Sequence, residues 1–317
     1  MVKKIAAAIF VGLALVSVDV AAQDSVWVEV PYTPGGSADQ SARLVTHRLS
    51  SVSNKNFVIE YKPGAGGVTA AMSVIQSEPK GSKLLLASIS TLALNKALFK
   101  SLPYDPSRDF VPVVGLTQSP MVLVARPSIP ASNLKELVAY AKTKKDGLVL
   151  GSPGVGSIPH LAGMYCFRKL GVDVLHVPFK GIAPAIVALL SNNVDVVFDT
   201  LSTAEANIKA GKVKALAIAS DHRFSDLPQL PTFKEQGMDL EVSSWFGLAA
   251  PAGTPKAQVD ELNRQVNVVL NDADFRKQLS KLGLEPILGS AKDFEAYVRA
   301  RSDQWLPELT RLNLKPY

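Results

Sequence analysis

The sequence predicts an α/β protein of two domains, with parallel-rich sheets covered by helices. Strand-like runs alternate with helical patterns along the whole chain, which is the grammar of βαβ units. Several of those runs, KLLLAS among them, are continuously apolar, as strands buried on both faces must be. The length of 317 residues also exceeds what one compact core usually supports.

Taken in order, the chain opens with Lys3 and Lys4, an apolar stretch from Ile5 to Val18 and the small residues Val20-Ala21-Ala22. This is the pattern of a secretory signal peptide, residues 1–22, with export to the periplasm. The apolar core is shorter than a membrane span, and no later segment approaches about twenty uninterrupted apolar residues. Val26 to Val30 then alternates like a strand, and Pro31 and Pro34 end it. Ala42, Val45, Leu49 and Val52 recur at helical spacing, and Ser37 with Gln40 has the form of a capping box, so Ser37 is expected to be the N-cap.

NFVIEY reads as the next strand, followed by the glycine bend KPGAGGVTAA and helical spacing to Gln76. KLLLAS leads through the hydroxyl-rich SIST into LALNKALFK, and GLVLGS, DVLHVP, VDVVFD and VKALAIAS follow, separated by helix-like segments. If Met121–Ala125 and Ala215–Ser220 both cross between domains, residues 23–121 and 222–317 form domain 1 and residues 122–221 form domain 2. A ligand cleft then lies between them, lined by loops at the carboxyl ends of strands.

The stretch Tyr32 to Ser37, with Pro34, Gly35 and Gly36, places a glycine-rich bend before a helix that has no Arg or Lys in its first turn. Bare backbone N–H groups there suit an anion held without a cationic side chain. LGSPGVGSIPHLAG repeats the design: Gly154 and Gly156 let backbone approach closely, Ser157 is a plausible N-cap, and Pro159 sits in the first turn. A tight strand-to-helix turn without a ligand is the alternative for each loop. Ser88 and Ser90 follow one buried strand and Asp199 and Thr200 another; hydroxyls there suit a carboxylate, and capping explains them equally well. Lys180 is the one cation in such a loop, and a solvated lysine is the weightier reading. His160 suits packing or the cleft better than general-base work. Asp39 either selects an ammonium group or, as favoured here, serves its own helix by pairing with Arg43 at i, i+4.

Other classes find little support. The formal charge of +6, or +5 after loss of Lys3, Lys4 and Asp19, is spread without basic runs, so no nucleic-acid partner is expected. Cys166 is the only cysteine and reads as a buried helix residue. The four histidines lack metal-ligand spacing, no G-x-S-x-G elbow occurs, and PGAGG lacks the acidic partner of a dinucleotide fingerprint. Neither cofactor nor metal is expected.

Together, PYTPGGSADQSAR, KPGAGG, LPYDPSRDFVPV, IPASNLKELVAYAK, GSPGVGSIPHLAG, HVPFKGIAPAIVALL, RFSDLPQLPTFKEQG, SSWFGLAAPAGTP and DQW resemble one family over essentially the whole mature chain. It is that of the Bug-type receptors, the extracytoplasmic solute receptors of tripartite tricarboxylate transporters. The resemblance implies a type II-like two-domain periplasmic-binding-protein fold. It also implies ligand contacts from Tyr32 to Ser37, from Ser88 and Ser90, and from Gly154 to Ser157. Thr33 stands where the family usually has Pro, a change at the pocket. Tyr61-Lys62 replaces Asn-Arg and is expected to touch only surface or packing. The expected function is capture of a small carboxylate and delivery to membrane permease subunits by a monomer that performs no chemistry. An exported hydrolase and a receptor for a signalling partner are the alternatives.

Overall fold

The computed structural model describes residues 25–53 and 55–311, so the signal-peptide expectation lies outside the described residues. The strands are β1 (Ser25–Val30), β2 (Asn56–Tyr61), β3 (Lys83–Ala87), β4 (Phe110–Ala125), β5 (Leu148–Ser152), β6 (Val174–Pro178), β7 (Val196–Thr200), β8 (Lys214–Ile218), β9 (Ser243–Pro251) and β10 (Glu285–Pro286). Around them lie α1 (Ser37–Val52), α2 (Val68–Ile75), α3 (Asn95–Leu98), α4 (Pro106–Asp109), α5 (Leu134–Ala141) and α6 (Ile158–Leu170). The remaining helices are α7 (Ile182–Leu190), α8 (Leu201–Lys209), α9 (Lys256–Asn271), α10 (Ala273–Ser280) and α11 (Ala291–Arg311).

Strand order is β2-β1-β3-β9-β4-β7-β5-β6, with β8 and β10 also paired to β4. The outer pairs β1/β2, β1/β3, β5/β6 and β5/β7 are parallel, as helical crossovers require. Every pairing that involves β4 or β9 is antiparallel, so the sheets are mixed at the centre. Parallel-rich therefore describes the flanks and not the middle.

The centre turns on β4, which the sequence suggested only in its last five residues. Phe110 to Pro120 pairs with β9, whereas Met121 to Ala125 pairs with β7 and β8. One strand thus serves two sheet regions. Pro112 is tolerated where pairing is already irregular, the register to β9 slipping between Pro112 and Val114, and Pro120 ends the pairing with β9.

Apolar runs in β3 and β4 are explained by burial on both faces. Leu84 and Leu86 pack under α1 and α9 with Val28, Val45 and Val266, while Leu85 and Ala87 face a second cluster with Leu98, Phe198 and Trp245. Val122 and Val124 join a third cluster with Leu189, Leu201 and Ile218, to which Leu227 and Leu230 also belong. Each such side chain removed from water contributes about 1.5–3 kcal/mol, and truncating a fully buried Leu85 to Ala would cost about 2–5 kcal/mol.

One capping expectation is corrected and the other holds in position. Ser37 is the first residue of α1 and Gly36 holds the N-cap position, with no side-chain cap. The orphan amide goes to Asp39 instead, whose Oδ2 accepts from the Gly35 N–H at 2.8 Å, and Gln40 reaches across to the Ser202 carbonyl at 3.3 Å. Ser157 does occupy the N-cap of α6, but its hydroxyl donates back to the Gly154 carbonyl at 2.6 Å and caps no N–H.

Candidate functional site

A cavity lies between the two sheet regions, where the starts of α1, α6, α7 and α8 meet the ends of β3 and β7 and the start of β9. Of the residues singled out from sequence, Tyr32, Gly36, Ser37, Ser88, Ser90, Ser157, Asp199 and Thr200 line it. Pro34, Gly35, Asp39, Gly156 and His160 do not, and Gly154 and Lys180 line a neighbouring groove with Gly64 to Gly67. The Lys180 side chain is exposed, and only its backbone carbonyl meets the first bend, accepting from the Thr33 N–H at 3.3 Å. Thr33, Ile182 and the β9 residues Ser244, Trp245 and Phe246 complete much of the lining. Nothing local in SSWFG marked it as pocket; only the antiparallel seating of β9 between β3 and β4 brings it there.

Polar atoms in this cavity are unusually free. Thr33 Oγ1, Ser88 Oγ, Asp199 Oδ2 and Trp245 Nε1 are all buried without a hydrogen-bond partner, and all four residues line it. Orphaned polar groups typically cost about 1–3 kcal/mol each, so four around one space are poorly explained by folding alone. No Lys, Arg or His side chain is among the lining residues. The only titratable ones are Tyr32 and Asp199. Burial raises the Tyr32 hydroxyl above its ordinary value, with the neighbouring hydroxyls of Ser88 and Ser90 opposing. Burial likewise pushes Asp199 up to about 7, against the hydrogen bonds from Thr203 and from the Thr200 N–H.

The two glycine bends seat the opposite halves against each other. A Cβ on Gly36 would stand 2.6 Å from Ile182 Cγ2 of α7, and one on Gly156, at φ +74°, would stand 2.3 Å from Leu98 Cδ1 of α3. Ser90 Oγ donates to the Gly156 carbonyl at 2.9 Å across the same seam. A side chain at either position would force Ile182 or Leu98 to move, and at Gly156 it would also have to adopt a left-handed backbone.

Behind the second bend His160 and His176 stack with ring centroids 3.8 Å apart. Nδ1 of His160 accepts the Gly156 N–H at 3.2 Å, and Nε2 of His176 lies 2.6 Å from the Ser152 hydroxyl. Burial lowers both rings, His160 to about 3 with the neighbouring His176 adding to the effect, and His176 to about 4. The pair is neutral near pH 7 and braces the bend. Ser152 is fully buried and absent from the lining, so this Ser–His contact has no access to the cavity.

Asp39 is engaged away from the cavity. Its Oδ1 accepts from Arg43 Nε at 2.6 Å and from the Tyr61 hydroxyl, and its Oδ2 is taken by Gly35. Tyr61, expected at the surface or in packing, therefore holds the acid that ties down the first bend, and Asp39 raises the phenol to about 12 together with burial, which is the larger effect.

Residues 41–314 match the tripartite tricarboxylate transporter family receptor, TctC. The chain belongs to this family. Among its relatives, BugT of Bordetella pertussis is 30% identical over 278 residues, 87% of this chain and 85% of BugT. Among solved structures, R. palustris Rpa4515 with adipate is 31% identical with a TM-score of 0.89, covering 92% of this chain and 98% of that one. MatC from Rhodopseudomonas palustris with bound malate is 34% identical with a TM-score of 0.85, covering 90% and 98%. The receptor thus has the two-domain periplasmic-binding-protein fold with its cleft between domains, and it is a solute-binding protein of the tripartite type.

Proposed function

We propose that this receptor captures a small carboxylate in the periplasm, closes its two halves over it, and passes it as a monomer to the permease subunits of a tripartite transporter, without turning it over. The observation that carries the reading is the cavity itself. Four unpartnered buried polar atoms surround a space at four helix starts, α1, α6, α7 and α8, with no cationic side chain in the lining. Helix starts and hydroxyls supply an anion with N–H and O–H donors at little desolvation cost. The adipate and malate seen with similar receptors support the same ligand class.

The first boundary of the division into 23–121 with 222–317 against 122–221 is supported by the switch of β4 partners at Met121. Because Leu227 and Leu230 pack with the second half, the return crossing falls best at Val242, whose N–H bonds to the Ala219 carbonyl. Contact from Tyr32, Gly36, Ser37, Ser88 and Ser90 on one side and from Ser157, Asp199 and Thr200 on the other then comes from both halves, while Pro34, Gly35, Gly154 and Gly156 shape the bends behind them.

A thermal-shift screen of carboxylates on the mature protein tests this. A true ligand at a hundred times its Kd adds about 2.7 kcal/mol. Small-angle scattering should then report a smaller radius of gyration at saturation. Consumption of an acid by the purified protein, or saturation with no change in radius, would sink the reading.

A further inference from the structure

Which acid the cavity takes is a question of what its one interior carboxyl needs. Asp199 is the next-to-last residue of β7 and is 1% exposed. Its Oδ1 already accepts from the Thr200 N–H at 2.8 Å and from the Thr203 hydroxyl, while its Oδ2 has no partner and belongs to the cavity lining. Two donors on one oxygen favour the ionised group, and the remaining oxygen then calls for a third donor. The protein offers none.

Resting on the carboxylate reading above, we propose that Asp199 is the specificity residue of this receptor: its free Oδ2 accepts from an N–H or O–H of the ligand. The ligand class is then a small acid that carries an amino or hydroxyl donor besides its anchoring carboxylate. An unsubstituted dicarboxylate would place a second anion against Asp199 and binds only while that group is protonated. The other titratable group of the lining is Tyr32, a phenol that burial raises above its ordinary value and that stays neutral near pH 7, so the choice falls to Asp199. Across β4 its register partner is Val122, β5 contributes Gly151 beside β7, and α7 has no titratable side chain. On α6, His160 is neutral against His176, with Arg168 and Lys169 in the far last turn; on α8, Glu205 is paired with Lys209 at 2.6 Å. Asp39, the other acid near the bends, has both oxygens engaged and cannot compete. Burial holds Asp199 near 7, so the selection is sensitive to pH in the range where it is measured.

The experiment is calorimetry on the mature protein with unsubstituted mono- and dicarboxylates of two to six carbons, each beside its 2-amino and 2-hydroxy counterpart, at pH 6 and pH 8. Wild type should bind a donor-bearing acid at least tenfold more tightly than its unsubstituted match, with affinity rising from pH 6 to pH 8. In Asp199→Asn an amide N–H replaces the free oxygen, so the preference should invert toward unsubstituted acids and the pH dependence should vanish. The wild-type pH series stands even if that variant folds poorly. Equal or tighter binding of unsubstituted acids by wild type, with affinity falling toward pH 8, overturns the proposal and leaves the carboxylate receptor intact. Binding of no acid in the panel removes both.

Discussion

Asp39, in the first turn of α1, and Asp199, at the end of β7 just before α8, are both buried acids near one cavity, yet they stand in opposite positions. Asp39 satisfies the Gly35 amide, Arg43 and Tyr61, and has nothing left to offer a ligand. Asp199 spends one oxygen on Thr200 and Thr203 and keeps the other free inside the protein. Residue type and burial do not separate them; the accounting of partners does. A saturated acid is a fastener, whereas an unsaturated one in a closed space is a question put to the solute.

The largest effect that could break this comparison comes from the seam that both acids depend on. Gly36→Val places a branched side chain against Ile182, so binding of any ligand should weaken by about a hundredfold or more, near 2.7 kcal/mol, while the melting temperature stays within a few degrees. Unchanged affinity by calorimetry would mean that the halves need not meet at Gly36.

Next in size is Ser88→Ala, which deletes another unpartnered buried group. Affinity should fall about tenfold, roughly 1.4 kcal/mol, and unfolding in urea should show stability held or raised, because an unpaired buried hydroxyl has been removed. Loss of stability with full affinity would reclassify Ser88 as a fastener like Asp39.

Asp39→Asn should act in the reverse sense. Affinity is expected to change by less than about tenfold, under 1.4 kcal/mol, while stability drops by about 1 kcal/mol with the cap and its ion pair weakened. A large affinity loss confined to amino-bearing acids would restore Asp39 as the selective residue.

The smallest effect at neutral pH belongs to the stacked histidines. Both are held below the ordinary 6.5, so as pH falls the unfolded chain takes up protons first and the pair's contribution to stability declines from about 6.5 until the rings protonate near 4 and 3. Asp199, raised to about 7, acts in the opposite sense between roughly pH 7 and pH 4, favouring the fold as pH drops. Melting curves of Asp199→Asn should therefore show the acid-side loss more steeply than wild type, and His176→Gln in that background should flatten it.

The contrast between the two acids also marks how far the sequence could be read. Asp39 with Arg43 is a contact between neighbours on one helix, and the spacing shows it. Both glycine bends and the strand ends bearing Ser88 and Asp199 were visible for the same reason, since strand, bend and helix are contiguous. Tyr61 lies 22 residues from Asp39, and its role depends on β2 pairing in register with β1. Trp245 reaches the cavity only because β9 runs antiparallel between β3 and β4, an arrangement that no local period encodes. Likewise β4 looked like one short strand because its irregular first part carries Pro112, Gly115 and Pro120, which break the pattern without ending the strand.

The buried indole of Trp245 gives this protein an optical handle of its own. Its ring is 2% exposed, edge-on to Phe294 and Tyr297, with an unbonded N–H in the wall of the cavity. Trp27 is 41% exposed on β1, and Trp305 packs on Tyr165 of α6, neither of them in that wall. A solute that accepts from the Trp245 N–H should shift the near-ultraviolet emission, and Trp245→Phe should silence that shift. Occupancy then becomes readable from the unlabelled protein in a cuvette, as light.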